Sequence, residues 1–232
     1  MSDLLTYSLE GDVAVLTLDD GKANALSHEM IDTLRKALDR AESEAGAVAL
    51  LGRPGRFSAG FDLATMRAGA EATRGLVTAG AELLLRLYEF PRPTVVGATG
   101  HALAAGALLL CAADTRLAAR GDFKIGLNEV AIGMTLPVFG VEFARDRLSK
   151  RHFTAAVIQA RLYDAEGAVE VGYADRAVDA DDLKQETLAA AAALAQLPRE
   201  AYAGTKRQTR SAVAGHIRDT LDEDMARITG GN

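Results

Sequence analysis

A single glutamate stands in an otherwise apolar stretch of the sequence. Glu129 lies between Ile125 and Pro137, where its neighbours are mostly aliphatic or glycine. A carboxylate in such surroundings loses hydration, and its pKa rises toward the range in which it can accept and return a proton. The alternative is a solvated glutamate at the start of a helix, where the helix dipole favours a negative charge. This segment alone leaves both interpretations open.

Two glycine-containing turns could supply the matching chemistry. Residues 56–63 read Arg-Phe-Ser-Ala-Gly-Phe-Asp-Leu, and residues 97–108 read Gly-Ala-Thr-Gly-His-Ala-Leu-Ala-Ala-Gly-Ala-Leu. Small residues let a backbone approach a ligand, and the unpaired N–H groups at a helix start can bind an oxyanion. A tight strand-to-helix connection and the close packing of a core helix explain the same residues without a ligand. Two such turns in one domain favour a site.

Strands and helices alternate in the part of the chain that must position these segments. Ser27 is a good N-cap for a helix over residues 28–44, whose apolar residues recur at spacings of three and four. Residues 47–51 are wholly apolar, which is typical of a strand covered on both faces. The other predicted strands are residues 6–10, 13–18, 94–99, 115–119 and 123–125, and the other predicted helices are residues 76–90 and 104–112.

The last part of the sequence is mostly helical in pattern. The predicted helices are residues 138–148, 152–161, 165–171, 183–197 and 199–228, and one short strand is predicted over residues 174–178. Asp164 and Asp182 are the expected N-caps of the third and fourth of these helices. No linker rich in proline or serine separates the two parts, so we expect one α/β domain with a core over residues 1–175 and a helical region over residues 176–232.

Composition excludes several classes of function. The chain has 232 residues, with 26 Lys and Arg against 32 Asp and Glu and a net charge of −6, and no basic cluster is interleaved with aromatic residues, so a nucleic-acid partner is not expected. The single cysteine, Cys111, excludes an internal disulfide, and no metal-like spacing appears. Residues 102–113 are too short for a membrane span and residues 1–7 lack a signal-peptide pattern, so we expect a soluble cytoplasmic protein without a membrane partner.

The order and content of these segments resemble the crotonase superfamily, also called the enoyl-CoA hydratase/isomerase family. The specific motifs are Phe-Ser-Ala-Gly-Phe-Asp-Leu at residues 57–63 and Gly-Leu-Asn-Glu-Val-Ala-Ile-Gly at residues 126–133. Ala-Ala-Gly at residues 104–106 is a weaker version of the usual Gly-Gly-Gly. The resemblance implies an α/β, crotonase-like spiral of ββα units. It also implies a helical C-terminal trimerisation region, and hence a homotrimer or a hexamer made of two trimers.

The resemblance further implies an acyl-CoA thioester as the substrate. CoA is then part of the substrate, and no separate cofactor or metal is implied. Two backbone N–H groups, here those of Phe61 and Ala105, would hold the enolate oxygen, and alanine in place of glycine at position 105 would restrict the local φ. Lys22 or Arg67 would meet the CoA phosphates, with Lys206 as a weaker candidate acting across a subunit boundary. The residues implied in CoA binding are Lys22, Ala23, Asn24, Ala59, Gly60, Asp62 and Leu63.

The choice between hydratase and isomerase depends on two positions. Hydratases that resemble this chain hold a water molecule between two glutamates, but the first of these positions is Leu108 here and only the second, Glu129, is present. The resemblance therefore favours the Δ3,Δ2-enoyl-CoA isomerases, in which one base moves a proton from C2 to C4. Hydration or thioester hydrolysis with Glu129 as the sole carboxylate, and a non-catalytic acyl-CoA binder, are the alternatives.

Other residues carry lesser expectations. Met66, Leu108, Met134 and Leu136 are expected to line an acyl pocket, although the same residues could equally form core. His101 follows Gly100 and is a candidate for the pocket wall. Cys111 is expected in the core, and Asp114 is expected to anchor backbone at a strand start.

Overall fold

Two sheets, almost entirely parallel, form the frame of the protein, which the computed structural model describes from residue 4 to residue 230. The large sheet has the strand order β1-β2-β3-β5-β7-β9, and the small sheet has the order β4-β6-β8. Only β1 runs antiparallel to its neighbour β2 within these residues. The strands are β1 (Leu5–Glu10), β2 (Val13–Leu18), β3 (Ala47–Gly52), β4 (Gly55–Ser58), β5 (Thr94–Ala98), β6 (Gly100–Leu103), β7 (Thr115–Ala119), β8 (Ile125–Gly126) and β9 (Arg176–Val178).

The chain visits the two sheets alternately, and this alternation produces a spiral. Strands β3, β5 and β7 pair in the large sheet, and each is followed at once by β4, β6 or β8 of the small sheet. One or more helices then return the chain to the next strand of the large sheet. Successive ββα units therefore stack side by side, as the resemblance implied.

Both faces of the large sheet are covered. Every residue of β3 is buried. Val48 and Leu50 pack into the larger core cluster, whereas Ala49 and Leu51 pack into a smaller cluster that includes Leu183, the first residue of a late helix. Successive side chains of a strand point to opposite faces, so an unbroken apolar run serves two cores at once. The predicted strand covered on both faces is confirmed.

Most helices begin and end close to their predicted bounds. Ser27 caps α1 as predicted, because its Oγ accepts the Met30 N–H at 3.2 Å, and Asp164 caps α6 through the Gly167 N–H at 2.8 Å. Asp182 occupies the N-cap position of α7 as predicted, but its side chain makes no capping hydrogen bond. The helices are α1 (His28–Glu44), α2 (Leu63–Arg67), α3 (Ala70–Tyr88), α4 (Ala105–Ala112), α5 (Val138–Arg147), α6 (Ala165–Val171), α7 (Leu183–Ala195) and α8 (Arg199–Thr229).

The small sheet is the main departure from the sequence prediction. The sequence predicts a strand-to-helix connection over residues 56–63 and a turn from Gly100, yet residues 55–58 and 100–103 form the parallel pair β4 and β6. A Cβ on Gly100 would overlap the carbonyl group of Gly55, so the two strands meet glycine against glycine. Strands of four residues that begin with glycine carry little β-propensity, which is why the sequence pattern does not show them.

Two helix predictions also need correction. Helix α3 begins at Ala70 rather than at residue 76. The sequence pattern does not show its first turns, because they are largely exposed and carry no apolar periodicity. The helix predicted over residues 152–161 is only a short π-helical turn, Thr154–Ile158. The backbone leaves the helical conformation soon afterwards, at Ala160, whose φ is +52°.

The last helix folds back over the core of its own chain. Helix α8 has 31 residues and packs against α3 and α5. Its buried stripe includes Arg210, Ala214, Ile217 and Met225, which share one face of the helix. Neither α8 nor any other helix among residues 4–230 contains a stretch long and apolar enough to cross a bilayer.

Candidate active site

Glu129 is a buried carboxylate in the loop after β8. Glu129 is 8% exposed, and its Oε2 has no hydrogen-bond partner among the described residues. Burial raises the pKa of the carboxyl group to about 7. The loop around it is ordered by its own backbone, since the Glu129 carbonyl accepts the Met134 N–H at 2.9 Å and the Ile132 N–H at 3.1 Å. The structure therefore decides between the two sequence interpretations in favour of the desolvated carboxylate.

Glu129 faces a small cavity of about 40 Å³. Among the described residues that line it, Glu129 is the only carboxylate. The rest of the lining is mostly apolar and comes from five helices and two loops: Phe61, Met66, Thr73, Val77, Leu108, Met134, Thr135, Pro137, Phe139, Met225, Ile228 and Thr229. A carboxylate in such a lining has few dipoles to stabilise its charge, which explains its raised pKa.

A larger groove of about 820 Å³ adjoins this cavity. The two spaces share three apolar lining residues, Met66, Met134 and Ile228, and two threonines, Thr73 and Thr135, so these five side chains stand at the junction. The groove also carries two cationic side chains, Arg67 and Arg227. A ligand of drug-like size would therefore occupy the groove and reach Glu129 past the three apolar side chains.

The backbone N–H groups of Phe61 and Ala105, the expected oxyanion-hole donors, belong to two segments that lie against each other. The backbone of Leu26 pairs with residues 60–62: its N–H donates to the Gly60 carbonyl at 2.8 Å, and its carbonyl accepts the Asp62 N–H at 3.2 Å. The N–H of Phe61 therefore points to the opposite side. Ala105 is the first residue of α4, so its N–H has no acceptor within the helix. A Cβ on Gly60 would lie 3.2 Å from the Ala105 nitrogen, so the two predicted segments touch here.

Gly60 and Ala104 set the backbone at this contact. Gly60 has φ +91°, and a Cβ there would lie 2.8 Å from the Cβ of Ala104, so only glycine fits. Ala104 precedes α4 with φ 52° and ψ −125°, a conformation that L-residues rarely adopt. The expected restriction of φ thus falls on Ala104 rather than on Ala105, which has helical geometry.

The two segments implied in CoA binding lie side by side. The Ala59 N–H donates to the Ala23 carbonyl at 3.0 Å, and the Ser58 hydroxyl donates to the Asn24 carbonyl at 2.8 Å. The Asn24 side chain is buried and donates to the carbonyls of β2 and β4. The Asp62 carboxylate caps α2 by accepting the Thr65 N–H at 2.9 Å. The side chains of Asn24 and Asp62 are thus occupied by hydrogen bonds within the protein. Residues 22–24 and 59–63 therefore present chiefly backbone groups and small residues to a ligand.

The expected acyl-pocket residues are only partly brought together. Met66, Leu108 and Met134 line the cavity. Leu136 is not among its lining residues; it packs instead against the backbone of Gly140, next to the Leu108 side chain.

Sequence reasoning missed the contribution of α8 to this cavity. Met225, Ile228 and Thr229 line it, although almost 100 residues separate them from Glu129. Their only local signal is an apolar spacing of three on a helix. Packing of α8 against α5 brings them to the site, and a sequence pattern does not show which helices pack together.

Lys206 is not available to a phosphate within this chain. It is 7% exposed and its Nζ lies 2.8 Å from the Asp114 carboxylate, which also bonds the Arg210 guanidinium at 2.8 Å. Burial lowers the pKa of the Lys206 ammonium to about 8. Asp114 accepts the Thr94 N–H at 2.8 Å at the start of β5, as expected of a backbone anchor.

His101 and Cys111 take no part in the cavity. The Nδ1 of His101 accepts the Lys124 N–H at 3.0 Å, and its ring packs edge-on against Phe123. Cys111 is fully buried in the core, as predicted. His101 therefore connects β6 to the segment before β8 and does not line the pocket.

Comparison with known proteins agrees with this fold and site. A protein family described as enoyl-CoA hydratase/isomerase matches residues 8–226. The crystal structure of an enoyl-CoA hydratase/isomerase family protein from Pseudomonas syringae is 41% identical, covers 97% of this chain and 98% of its own, and superposes with a TM-score of 0.95. The architecture is thus the crotonase fold. The chain belongs to the enoyl-CoA hydratase/isomerase family.

The names of individual relatives divide between two reactions. The human mitochondrial enoyl-CoA delta isomerase 1 is 30% identical over 92% of this chain and 72% of its own length. A probable enoyl-CoA hydratase of Mycobacterium tuberculosis is 32% identical over 97% of this chain and 88% of its own length. An acyl-CoA substrate is consistent with the family, and the reaction has to be argued from the site.

Proposed function

We propose that this protein isomerises 3-enoyl-CoA to 2-trans-enoyl-CoA. The observation that supports this most directly is the cavity lining, in which Glu129 is the one carboxylate among the described residues and Leu108 is an apolar wall. Moving a double bond by one position needs a single group that takes a proton from one carbon and returns it to another. One buried carboxylate with a pKa of about 7 suits both halves of that task.

The proposed reaction runs in two proton transfers. The Glu129 carboxylate removes a proton from C2 of the substrate, and the electron pair moves into the thioester carbonyl to give a dienolate. The oxygen of the dienolate accepts hydrogen bonds from the Phe61 and Ala105 N–H groups, each contributing about 3 kcal/mol to its stability. Protonated Glu129 then donates its proton to C4, the carbonyl re-forms and the double bond lies between C2 and C3.

Leu108 favours isomerisation over hydration. Addition of water to a 2-enoyl-CoA requires a water molecule that is held and activated beside C3. Leu108 is 1% exposed and offers no hydrogen bond to such a water. An apolar wall at this position also keeps water away from the dienolate, which would otherwise be protonated from solvent.

The test compares the wild type with Glu129→Gln on 3-hexenoyl-CoA. Glutamine keeps the size of the side chain but cannot accept the C2 proton, so we expect the turnover number to fall by at least about a thousandfold. Glu71→Gln, on the exposed first turn of α3, is the matched control and should keep wild-type turnover. Full isomerase activity in Glu129→Gln would reject the proposal.

Hydration is the second candidate, because a relative named as a probable hydratase matches nearly the whole chain. With Glu129 as the sole carboxylate, hydration would require the water to be held by one acid/base group alone. Robust conversion of crotonyl-CoA to its hydroxy product by the wild type would favour this candidate. A non-catalytic acyl-CoA binder would show neither reaction, and its affinity for acyl-CoA would not change in Glu129→Gln.

We further propose that CoA binds along the paired segments of residues 22–24 and 59–63 as a ligand of a homotrimer or hexamer. Support comes from their direct hydrogen bonding and from Arg67 in the adjoining groove, whose guanidinium forms no hydrogen bond or ion pair in the described part of the chain. Lys22→Ala and Arg67→Ala should each weaken CoA binding, measured by calorimetry. Light scattering coupled to gel filtration measures the assembly.

A further inference from the structure

Asp224 of α8 caps another helix of the same chain. Its side chain is almost fully buried, and its Oδ2 accepts the backbone N–H of Val138, the first residue of α5, at 2.6 Å. Its Oδ1 accepts a hydrogen bond from Arg227 at 2.5 Å. Pro137, which precedes α5, offers no side-chain cap, so the carboxylate from α8 takes that place.

The residues beside this cap belong to the wall of the cavity. Pro137 and Phe139 line it from the start of α5, and Met225, Ile228 and Thr229 line it from the last turns of α8. Met225 follows Asp224 directly and is 1% exposed. The hydrogen bond from Val138 to Asp224 therefore joins two walls of the space that Glu129 faces.

The size of the enclosed space makes the position of this wall matter. The cavity of about 40 Å³ is small beside the adjoining groove of about 820 Å³, so a modest movement of its wall changes what fits inside. Because the substrate reaches Glu129 from the groove, past Met66, Met134 and Ile228, a long acyl tail would have to extend into the part of the cavity that the groove does not share, whose lining includes Phe139 and Met225. A shift of the last turn of α8 would change the space in that part.

We propose that the last turn of α8 selects the acyl chain and that Asp224 is the positioning residue that holds it in place. This inference rests on the proposed acyl-CoA substrate. Met225 and Ile228 form the wall, and the Asp224 cap fixes their distance from Phe139. The protein then favours short acyl chains over long or branched ones.

The first test enlarges the wall without touching the base. We expect Met225→Ala to raise the ratio of kcat/KM for 3-dodecenoyl-CoA to that for 3-hexenoyl-CoA by about tenfold or more, since one methylene in an apolar pocket is worth that much. Ile228→Ala tests the same wall if Met225→Ala does not fold. Glu223→Gln, an exposed neighbour on α8, is the control and should leave the ratio unchanged. An unchanged ratio in the folded alanine variant would overturn the proposal.

The second test separates positioning from general stability. Asp224→Ala leaves the Val138 N–H without its acceptor, so KM should rise more than kcat falls and the preference for short chains should flatten. Asp224→Asn keeps a side-chain oxygen that can accept the same hydrogen bond, and it should restore the preference. Loss of stability in Asp224→Ala with an unaltered chain-length profile would reduce Asp224 to a structural cap.

Binding of saturated acyl-CoA keeps this inference distinct from the proposed reaction. Calorimetry on butanoyl-, hexanoyl- and dodecanoyl-CoA measures chain selection without turnover. Chain-selective binding that Met225→Ala relaxes, in a protein that turns over no 3-enoyl-CoA, would reject the isomerase proposal and support the wall. Isomerase activity with equal binding of all three chains would support the isomerase proposal and reject the selection of the acyl chain by α8.

Discussion

Leu108 and Glu129 line the same cavity from different elements, the leucine from α4 and the glutamate from the loop after β8. The two side chains stand at the positions where a water-activating pair of glutamates is implied for related hydratases. One carboxylate facing an apolar side chain can move a proton but has no partner with which to hold a water. This relationship distinguishes the proposed isomerisation from hydration.

The pH dependence of turnover should follow the Glu129 carboxyl group. Burial raises the pKa of this group to about 7, and the reaction starts from its deprotonated form. We expect kcat/KM for 3-hexenoyl-CoA to rise about tenfold per pH unit below this pKa and to level off above it. Steady-state rates measured from acid to neutral pH show whether kcat/KM rises in this way. A flat profile down to pH values near the ordinary glutamate pKa would contradict a desolvated base.

The same shift should make the stability of the protein depend on pH. The pKa of Glu129 is about 7 in the folded chain against an ordinary value of 4.5, so the folded state retains a proton that the unfolded state releases. Stability therefore falls as the pH rises through this interval, by up to about 3 kcal/mol. Glu129→Gln has no proton to lose, so its free energy of unfolding relative to wild type should increase over the same interval.

Urea titrations at both ends of the interval measure this difference. If the difference in the free energy of unfolding between wild type and Glu129→Gln is the same below and above this pH interval, the carboxyl group titrates normally.

Replacing Leu108 should shift the reaction. Leu108→Glu introduces a second carboxylate into the cavity, and we expect hydration of crotonyl-CoA to rise at least about tenfold, at a cost in stability of about 3 kcal/mol for a buried acid. Leu108→Met keeps the volume and the apolar character and should leave both activities near wild type. Product analysis by chromatography measures both. Equal hydration by the two variants would show that Leu108 does not suppress this reaction.

Ala104 stores backbone strain beside the proposed oxyanion hole. Its φ of 52° and ψ of −125° suit glycine better than alanine. Ala104→Gly removes the strain but gives the unfolded chain more freedom, and the net gain should be about 1 kcal/mol in the free energy of unfolding. Chemical denaturation measures it. A loss of stability would mean that the strain at Ala104 is smaller than the entropy that glycine adds to the unfolded chain.

Local motifs contain the residues at the centre of the cavity but not those of its outer wall. Glu129, Phe61 and Leu108 lie in short segments whose content carries the resemblance, and all three line one cavity. Met225 and Ile228 reach the same cavity only because α8 packs against α5, a contact between distant parts of the chain. Periodicity along one helix shows which face is buried but not what it is buried against.

The same distinction applies to the fold. The apolar strand β3 and the capped helix α1 follow from local periodicity and were predicted closely. Strands β4 and β6 depend on a contact between Gly55 and Gly100, and no local sequence pattern predicts that contact. The resemblance made Lys206 a weaker candidate for a CoA phosphate, and only the fold places Asp114 and Arg210 beside it.

The most direct test of the proposed reaction is a parallel measurement of two rates on the wild-type protein. Its kcat/KM for converting 3-hexenoyl-CoA to the 2-trans isomer is compared with its kcat/KM for hydrating crotonyl-CoA, in the same buffer and with the same enzyme preparation. We predict that isomerisation is faster by at least about a hundredfold, because one carboxylate can return a proton but cannot hold a water against Leu108. Hydration at an equal or greater rate would contradict the proposed isomerase function.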